Sequence, residues 1–157
     1  MSAKKPRPFT PREEKIGTAF IGVMSRLNTW IYRASGGRLG GGFPGGAPIL
    51  LLTTVGRKSG EPKTAPLLYL QDGDNYVLVA SKGGMSHHPL WFKNLEANPR
   101  VDIEVGRRKF AATARRANDQ EKAALWPRLV KMYPSYADYQ ARTERDIPVV
   151  IVTPRAE

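Results

Sequence analysis

Three features of this chain predict an α+β fold built on a six-stranded antiparallel barrel with helices around it. Six short runs rich in aliphatic and β-branched residues follow residue 48. Tight-turn residues join two pairs of these runs, which favours antiparallel pairing. Helical stretches separate the remaining runs. At 157 residues, with 41% hydrophobic and 25% charged residues, the chain has the size and composition of one ordinary globular domain.

The first element is a helix from about Thr10 to Ala34. Thr10 caps it, Pro11 suits its first turn, and Glu13 stands three residues after the cap as in a capping box. Ile16, Phe20, Val23, Leu27, Trp30 and Ile31 recur at helical spacing, which predicts a stripe packed on the core. The basic character of the segment also suits contact with a membrane surface or a partner. Gly36 and Gly37 end the helix. Gly40, Gly42 and Gly45 then spell G-x-G-x-x-G, but a dinucleotide fingerprint must follow a strand and open a helix. Here the glycines follow a helix, include Pro44 and lead into a β-rich run, so they read as a flexible connector. Residues 1–47 are thus expected to form a basic amphipathic helix with its connector, and residues 48–157 the barrel domain.

The expected strands are Ile49–Val55, Lys63–Leu70, Tyr76–Ser81, Val101–Val105, Lys109–Arg116 and Pro148–Thr153. Asp72-Gly73-Asp74-Asn75 turns the chain between the second and third, and Gly106-Arg107-Arg108 between the fourth and fifth. Val101, Ile103 and Val105 alternate with Asp102 and Glu104, a half-buried pattern, whereas Tyr76 to Ala80 is apolar enough for burial on both faces. A short helix is expected over Pro89–Asn98. A second begins at the Asn118/Glu121 capping box and runs to Met132 with Pro127 inside it, and a third runs from Pro134 to about Arg142.

The formal net charge is +11. Lys4, Lys5, Arg7, Arg12 and Lys15, set against Glu13 and Glu14, supply only a small part of it, so most of the excess sits in the body. Nucleic acid, anionic lipid or an anionic cofactor could each be the counterpart. With no cysteine, disulfides and thiolate metal sites are excluded. No apolar run approaches the roughly 20 residues of a membrane span.

Acid–base and nucleophilic sites find little support. The two histidines, His87 and His88, are adjacent in a loop, Ser86 lacks the flanking glycines of a nucleophile elbow, and no carboxylate dyad is evident. Chemistry carried by a cofactor would ask less of the chain: to hold anionic groups, pack a flat ring and orient a substrate. Three segments suit those tasks. Gly56-Arg57-Lys58-Ser59-Gly60, with Lys63 beyond, can cradle phosphate or carboxylate, or be a solvated basic hairpin. Ala80-Ser81-Lys82-Gly83-Gly84 lets backbone approach a planar ligand, and Trp91 and Asn94 share a face of the next helix. Tyr133, Tyr136 and Tyr139 make a broad aromatic face, either core packing or the wall of a substrate pocket.

Taken in order, these segments resemble the family of deazaflavin (coenzyme F-420)-dependent nitroreductases and quinone reductases. The matching stretches are Leu51 to Gly60, Val79 to Gly84, Pro89 to Leu95, Ala97-Asn98-Pro99, Trp126-Pro127, Met132 to Tyr136 and Tyr139-Gln140. The resemblance covers about Pro48 to Pro154. It implies a split β-barrel like those that bind flavin mononucleotide, in which reduced F-420 gives hydride to a quinone, nitro compound or other activated acceptor. It implies that Arg57, Lys58 and Lys63 bind the cofactor's phosphate and oligoglutamate tail. Ser81, Lys82, Gly83, Trp91 and Asn94 would surround its ring and linker. Tyr133, Tyr136 and Tyr139 would shape the acceptor pocket, with Ser81 also hydrogen-bonding the acceptor. Leu68 stands where some members carry an aromatic residue, so nitroimidazole reduction is not implied. No metal and no nucleic acid partner is expected, and the protein is expected to be cytoplasmic, touching the inner face of the membrane through its N-terminal helix. The alternatives are a flavin-nucleotide enzyme of the same fold and a non-enzymatic basic barrel that binds nucleic acid.

Overall fold

The computed structural model describes residues 5–37 and 47–156; the glycine-rich connector with its G-x-G-x-x-G spacing lies outside the described residues. Both capping boxes form. Thr10 Oγ1 accepts from the Glu13 amide at 3.3 Å, while the Glu13 carboxylate accepts from the Thr10 amide at 2.8 Å, opening helix α1 (Pro11–Ala34). Asn118 and Glu121 exchange the same pair of bonds to open α3 (Asp119–Met132), which runs through Pro127. Between them lies α2 (Leu90–Ala97), and α4 (Ser135–Arg142) follows.

Among the described residues seven strands form rather than six: β1 (Ile49–Val55), β2 (Pro62–Leu68), β3 (Leu70–Asp72), β4 (Asn75–Val79), β5 (Arg100–Val105), β6 (Arg108–Arg116) and β7 (Val149–Pro154). They make one antiparallel sheet in the order β2-β1-β5-β6-β7-β4-β3. The run expected as one strand from Lys63 to Leu70 divides at Tyr69. Leu68 still lies opposite Ile49 of β1, whereas Leu70 lies opposite Val77 of β4. The Tyr69 amide donates to Pro48 O at 3.1 Å, and the very next residue has changed partner. The two edges of the sheet are therefore one stretch of chain bent at Tyr69, and the sheet curls on itself into an open barrel.

Period-two alternation divides the core between the two faces of this curl. Tyr76, Leu78, Val150 and Val152 point inward with Leu50, Leu52 and Ile103, and α2 adds Trp91, Phe92 and Leu95 to that interior. Val77, Val79, Val149 and Ile151 point outward and are covered by Leu125, Leu129 and Tyr136 of α3 and α4. This is why Tyr76 to Val79 is buried on both faces. Phe92 is fully buried, a contribution of roughly 1.5–3 kcal/mol.

The apolar stripe of α1 does not pack on the core. Ile16, Phe20, Val23, Leu27 and Trp30 are 50–69% exposed, and Tyr32 is the helix's one buried residue. The opposite face holds the helix to the barrel by polar contacts. The Glu14 carboxylate accepts from the Ser86 amide at 2.6 Å and from its hydroxyl at 2.7 Å. Tyr32 Oη accepts from the Gly106 amide at 2.7 Å, and Arg33 forks onto the Glu104 carboxylate at 2.8 and 3.2 Å. Helical periodicity located the stripe correctly, but it carries no information on which face meets the barrel. Tethers at both ends of the helix turn the apolar face outward.

Candidate active site

The Gly56–Gly60 turn is built from behind. The Gly56 amide donates to Glu61 O and the Gly60 amide to Gly56 O, each at 2.8 Å. Asn94 is buried beneath it: its Oδ1 accepts from the Arg57 amide at 3.1 Å, and its Nδ2 donates to Thr54 Oγ1 at 3.1 Å. A buried amide with both ends satisfied fixes a backbone. The side chains of Arg57, Lys58 and Lys63 are left exposed on the outer side of the turn. Trp91 is 9% exposed and belongs to the barrel interior, so it reaches the surface only as a small patch.

The loop after β4 has an unusual backbone. Lys82 (φ 44°), Gly83 (φ 62°) and Gly84 (φ 80°) are all left-handed, a conformation that costs a lysine free energy. The two glycines serve different ends. A Cβ on Gly84 would lie 2.6 Å from Tyr139 O, so Gly84 lets the loop press against α4. A Cβ on Gly83 would meet nothing within 4 Å, which leaves its backbone open. Arg145 clamps this loop. Its guanidinium donates to Ser81 O at 2.7 Å, Met85 O at 2.8 Å and Ala80 O at 3.2 Å, and lies 3.0 Å from His88 Nδ1. Arg142 adds a bond to Gly83 O at 3.2 Å and lies over the Phe9 ring.

The three tyrosines form one cluster. Their ring centroids are 4.9 Å (Tyr133–Tyr136), 6.1 Å (Tyr133–Tyr139) and 6.3 Å (Tyr136–Tyr139) apart, and the Tyr133 and Tyr139 hydroxyls lie 3.0 Å from one another. They are not equivalent. Tyr136 is 4% exposed and packs with Leu125 and Leu129, whereas Tyr133 and Tyr139 are half-buried. Burial, and then each neighbouring tyrosine, raises the Tyr136 hydroxyl well above its ordinary value; burial and the bond to Tyr133 do the same for Tyr139. Both stay neutral at working pH. The Gly84–Tyr139 contact joins this cluster directly to the Ser81–Gly84 loop.

Electrostatically the site is cationic. Burial pushes the Lys82 ammonium down, Glu14 opposes that, and Lys93 and Arg145 push it further down, so three cations act on one another here. Lys93, Arg142, Arg145 and Glu14 escaped sequence reasoning. The only available signal was position: Lys93 adjoins Asn94, and Arg142 and Arg145 follow the tyrosine helix. The contacts of Arg142, Arg145 and Glu14 with the loop span 57–72 residues, beyond any local pattern. Cations for phosphate and carboxylate, an open glycine backbone for a flat ring and tyrosine edges beside it form a donor set that fits F-420.

A curled antiparallel sheet in this strand order defines a split-barrel fold. The chain matches the family model described as F420H(2)-dependent quinone reductase over residues 24–154 and belongs to that family. It is 45% identical over 139 residues to a quinone reductase of that description from Mycobacterium tuberculosis, covering 86% of this chain and 93% of the relative. A solved F420-H2 dependent reductase (FDR-A) is 43% identical with a TM-score of 0.62, covering 67% of this chain and 93% of that one. A Listeria innocua structure described as a candidate pyridoxamine 5′-phosphate oxidase shares the fold alone, at 16% identity and a TM-score of 0.50 over 69% of this chain and 84% of that one. The protein is an oxidoreductase with F-420 as its cofactor and a quinone as its acceptor.

Proposed function

We propose that F-420 lies along α2, from the Gly56–Gly60 turn to the Ser81–Gly83 loop, and that the quinone enters over Tyr133 and Tyr139. The observation that carries this reading is the convergence on α2 of both anion-binding segments: Asn94 holds the Arg57 backbone, and the clamped loop leads into the helix's first turn. When bound, reduced deazaflavin supplies the hydride. Arg57, Lys58 and Lys63 bind the phosphate and carboxylates. Lys82 adds charge, Gly83 admits the ring against backbone, and Trp91 supplies an apolar floor. The Ser81 hydroxyl positions the acceptor's carbonyl oxygen. Tyr133 and Tyr139 are walls and hydrogen-bond donors, with Tyr136 packed behind them as support. Nitro compounds of similar flatness are candidate acceptors of the same pocket.

Among the described residues no helix is long and apolar enough to cross a membrane. The outward stripe of α1, flanked by the exposed cations Arg12, Lys15 and Arg26, suits a helix lying in the membrane surface of a cytoplasmic protein, within reach of lipid-soluble quinones. Absence of flotation with anionic vesicles would remove that part of the proposal.

Titration of the protein with F-420, followed by fluorescence, tests the cofactor site, with flavin mononucleotide and short DNA as parallel ligands. Saturable binding of F-420 alone is expected, and Lys58→Glu should weaken it by about tenfold or more. Unchanged affinity in folded Lys58→Glu would exclude the turn from the site. Flavin or DNA binding in place of F-420 would redirect the reading to those ligands.

A further inference from the structure

Arg142, the last residue of α4, joins the two halves of the proposed site. Its Nη1 donates to Gly83 O at 3.2 Å, on the loop, and it stands three residues beyond Tyr139 on the same side of the helix. Its charge reaches the Tyr139 hydroxyl: burial and Tyr133 raise that group, and Arg142 is the cation that draws it down. Three further observations set this arginine apart. Among the described residues it pairs with no carboxylate, unlike Arg33, Arg115 and Arg116. Gly83 O is its one hydrogen-bond acceptor among them, and its Nε is buried with none, which is uncommon. Phe9 lies against the guanidinium, with its ring centroid 4.4 Å from Cζ, and shields that face from water without neutralising it.

We propose that Arg142 is a catalytic residue, which stabilises the negative charge that develops on the acceptor's oxygen as hydride arrives. The inference rests on the cofactor and acceptor placement proposed above. The overall reaction moves two electrons and two protons from reduced F-420 to the quinone. Hydride brings both electrons and one proton: a C–H bond of the reduced ring breaks, a bond from that hydrogen to the quinone forms, and a quinone oxygen is left anionic. A proton from water then completes the hydroquinone, and one proton leaves the oxidised cofactor for solvent. A guanidinium already stripped of part of its water meets the anionic oxygen with little reorganisation. It remains protonated throughout, so it acts by charge and by hydrogen bonding, not as an acid. Phe9 takes part by keeping water from the guanidinium's other face.

The test uses the F-420-loaded protein and 4-cyanophenol, an unreactive phenol whose ionised form imitates the anionic acceptor. Its competition with a soluble quinone is measured from neutral to mildly alkaline pH, across the phenol's own ionisation, for wild type, Arg142→Gln and Arg142→Lys. Wild type should bind the phenolate about tenfold more tightly than the phenol, Arg142→Gln should lose that preference, and Arg142→Lys should keep part of it. Arg142→Gln should also lower kcat for the quinone by about tenfold or more with KM changed far less, while F-420 affinity, read by fluorescence titration, is retained. Tyr133, Tyr139, Asp138, Lys82 and His88 are common to all three proteins, so their titration cancels from the comparison. A preference absent from wild type, a preference that survives in Arg142→Gln, or an unchanged kcat in that variant overturns the assignment while the cofactor and acceptor sites stand. Loss of F-420 binding in Arg142→Gln overturns it too, by making Arg142 a support of the loop alone. If wild type does not bind F-420, or the phenol does not compete with the quinone, the underlying placement falls as well.

Discussion

The Arg145 guanidinium meets the Ser81 carbonyl oxygen at 2.7 Å across 64 residues of sequence. With its bonds to Ala80 O and Met85 O and its contact with His88, it fixes a stretch of backbone that, alone among the described residues, takes three left-handed residues in succession. Arg145 is thereby a positioning residue for the loop proposed above to face the cofactor.

Arg145→Ala leaves those carbonyls without their donor and should cost about 1–3 kcal/mol in stability. Arg145→Lys keeps the charge but not the fork, and should recover only part of the loss. The informative readout is the split between stability and F-420 affinity. Loss of both, with partial rescue of both by lysine, is expected; a change in melting temperature alone would limit Arg145 to a structural role.

Gly83 and Gly84 differ in a way that substitution can read. Gly83→Ala pays only for its left-handed φ, about 1–2 kcal/mol. Gly84→Ala adds the collision with Tyr139 O and should cost about 1–3 kcal/mol more. The order reverses for cofactor affinity if the ring lies on Gly83. Denaturant unfolding and F-420 titration of both variants check the two halves separately.

Tyr136→Ala opens a cavity in the outer core and should cost about 3–5 kcal/mol. Tyr133→Phe and Tyr139→Phe each break the 3.0 Å hydroxyl contact and should cost no more than about 1 kcal/mol, while raising KM for the quinone and leaving F-420 affinity unchanged. Steady-state kinetics with a soluble quinone analogue decides it. An unaltered KM in both Phe variants would take the tyrosine hydroxyls out of the acceptor site.

Acid should loosen the same loop in two stages. Burial, then Arg145, holds the His88 imidazole below its ordinary value, and the bond from the Ser86 amide does the same for the Glu14 carboxyl. In both cases the unfolded chain binds protons more readily than the folded one, so stability falls as pH falls. The His88 contribution is complete above the ordinary histidine value and is lost below it. The Glu14 contribution is complete above the ordinary carboxylate value and is lost as pH drops through the lowered one. Hydrogen exchange of the amides of residues 80–88, followed from neutral to acid pH, should show both stages, and Glu14→Gln should abolish the second alone. An unchanged acid stage in Glu14→Gln would contradict the role given to the Glu14–Ser86 contact.

Local chemistry in the sequence was enough for most of the barrel. Capping boxes, the Asp72–Asn75 turn and the alternation of Val101, Ile103 and Val105 depend on neighbours within a few residues, and each appears in the structure as expected. The corner at Tyr69 was not legible, because no local rule marks where a continuous β-forming run exchanges one ladder for another. Asn94 was recognisable as a site residue by resemblance, but its work beneath the turn depends on Thr54, 40 residues away. The direction of α1's stripe was hidden for the same reason: Glu14 and Tyr32 set it through partners more than 70 residues distant.

The bend at Tyr69 also bears on how molecules of this protein meet one another. Because the Tyr69 amide points to the β1 side, the amides of β2 that point away belong to residues 62, 64, 66 and 68, and two of these are prolines. The other border, β3, is three residues long. Neither border offers a run of free donors on which a neighbour could template a growing fibril. Colloidal behaviour is thereby transferred from the sheet to the outward stripe of α1, and changes in solubility should follow substitutions at Phe20 or Trp30 rather than anywhere along the strands.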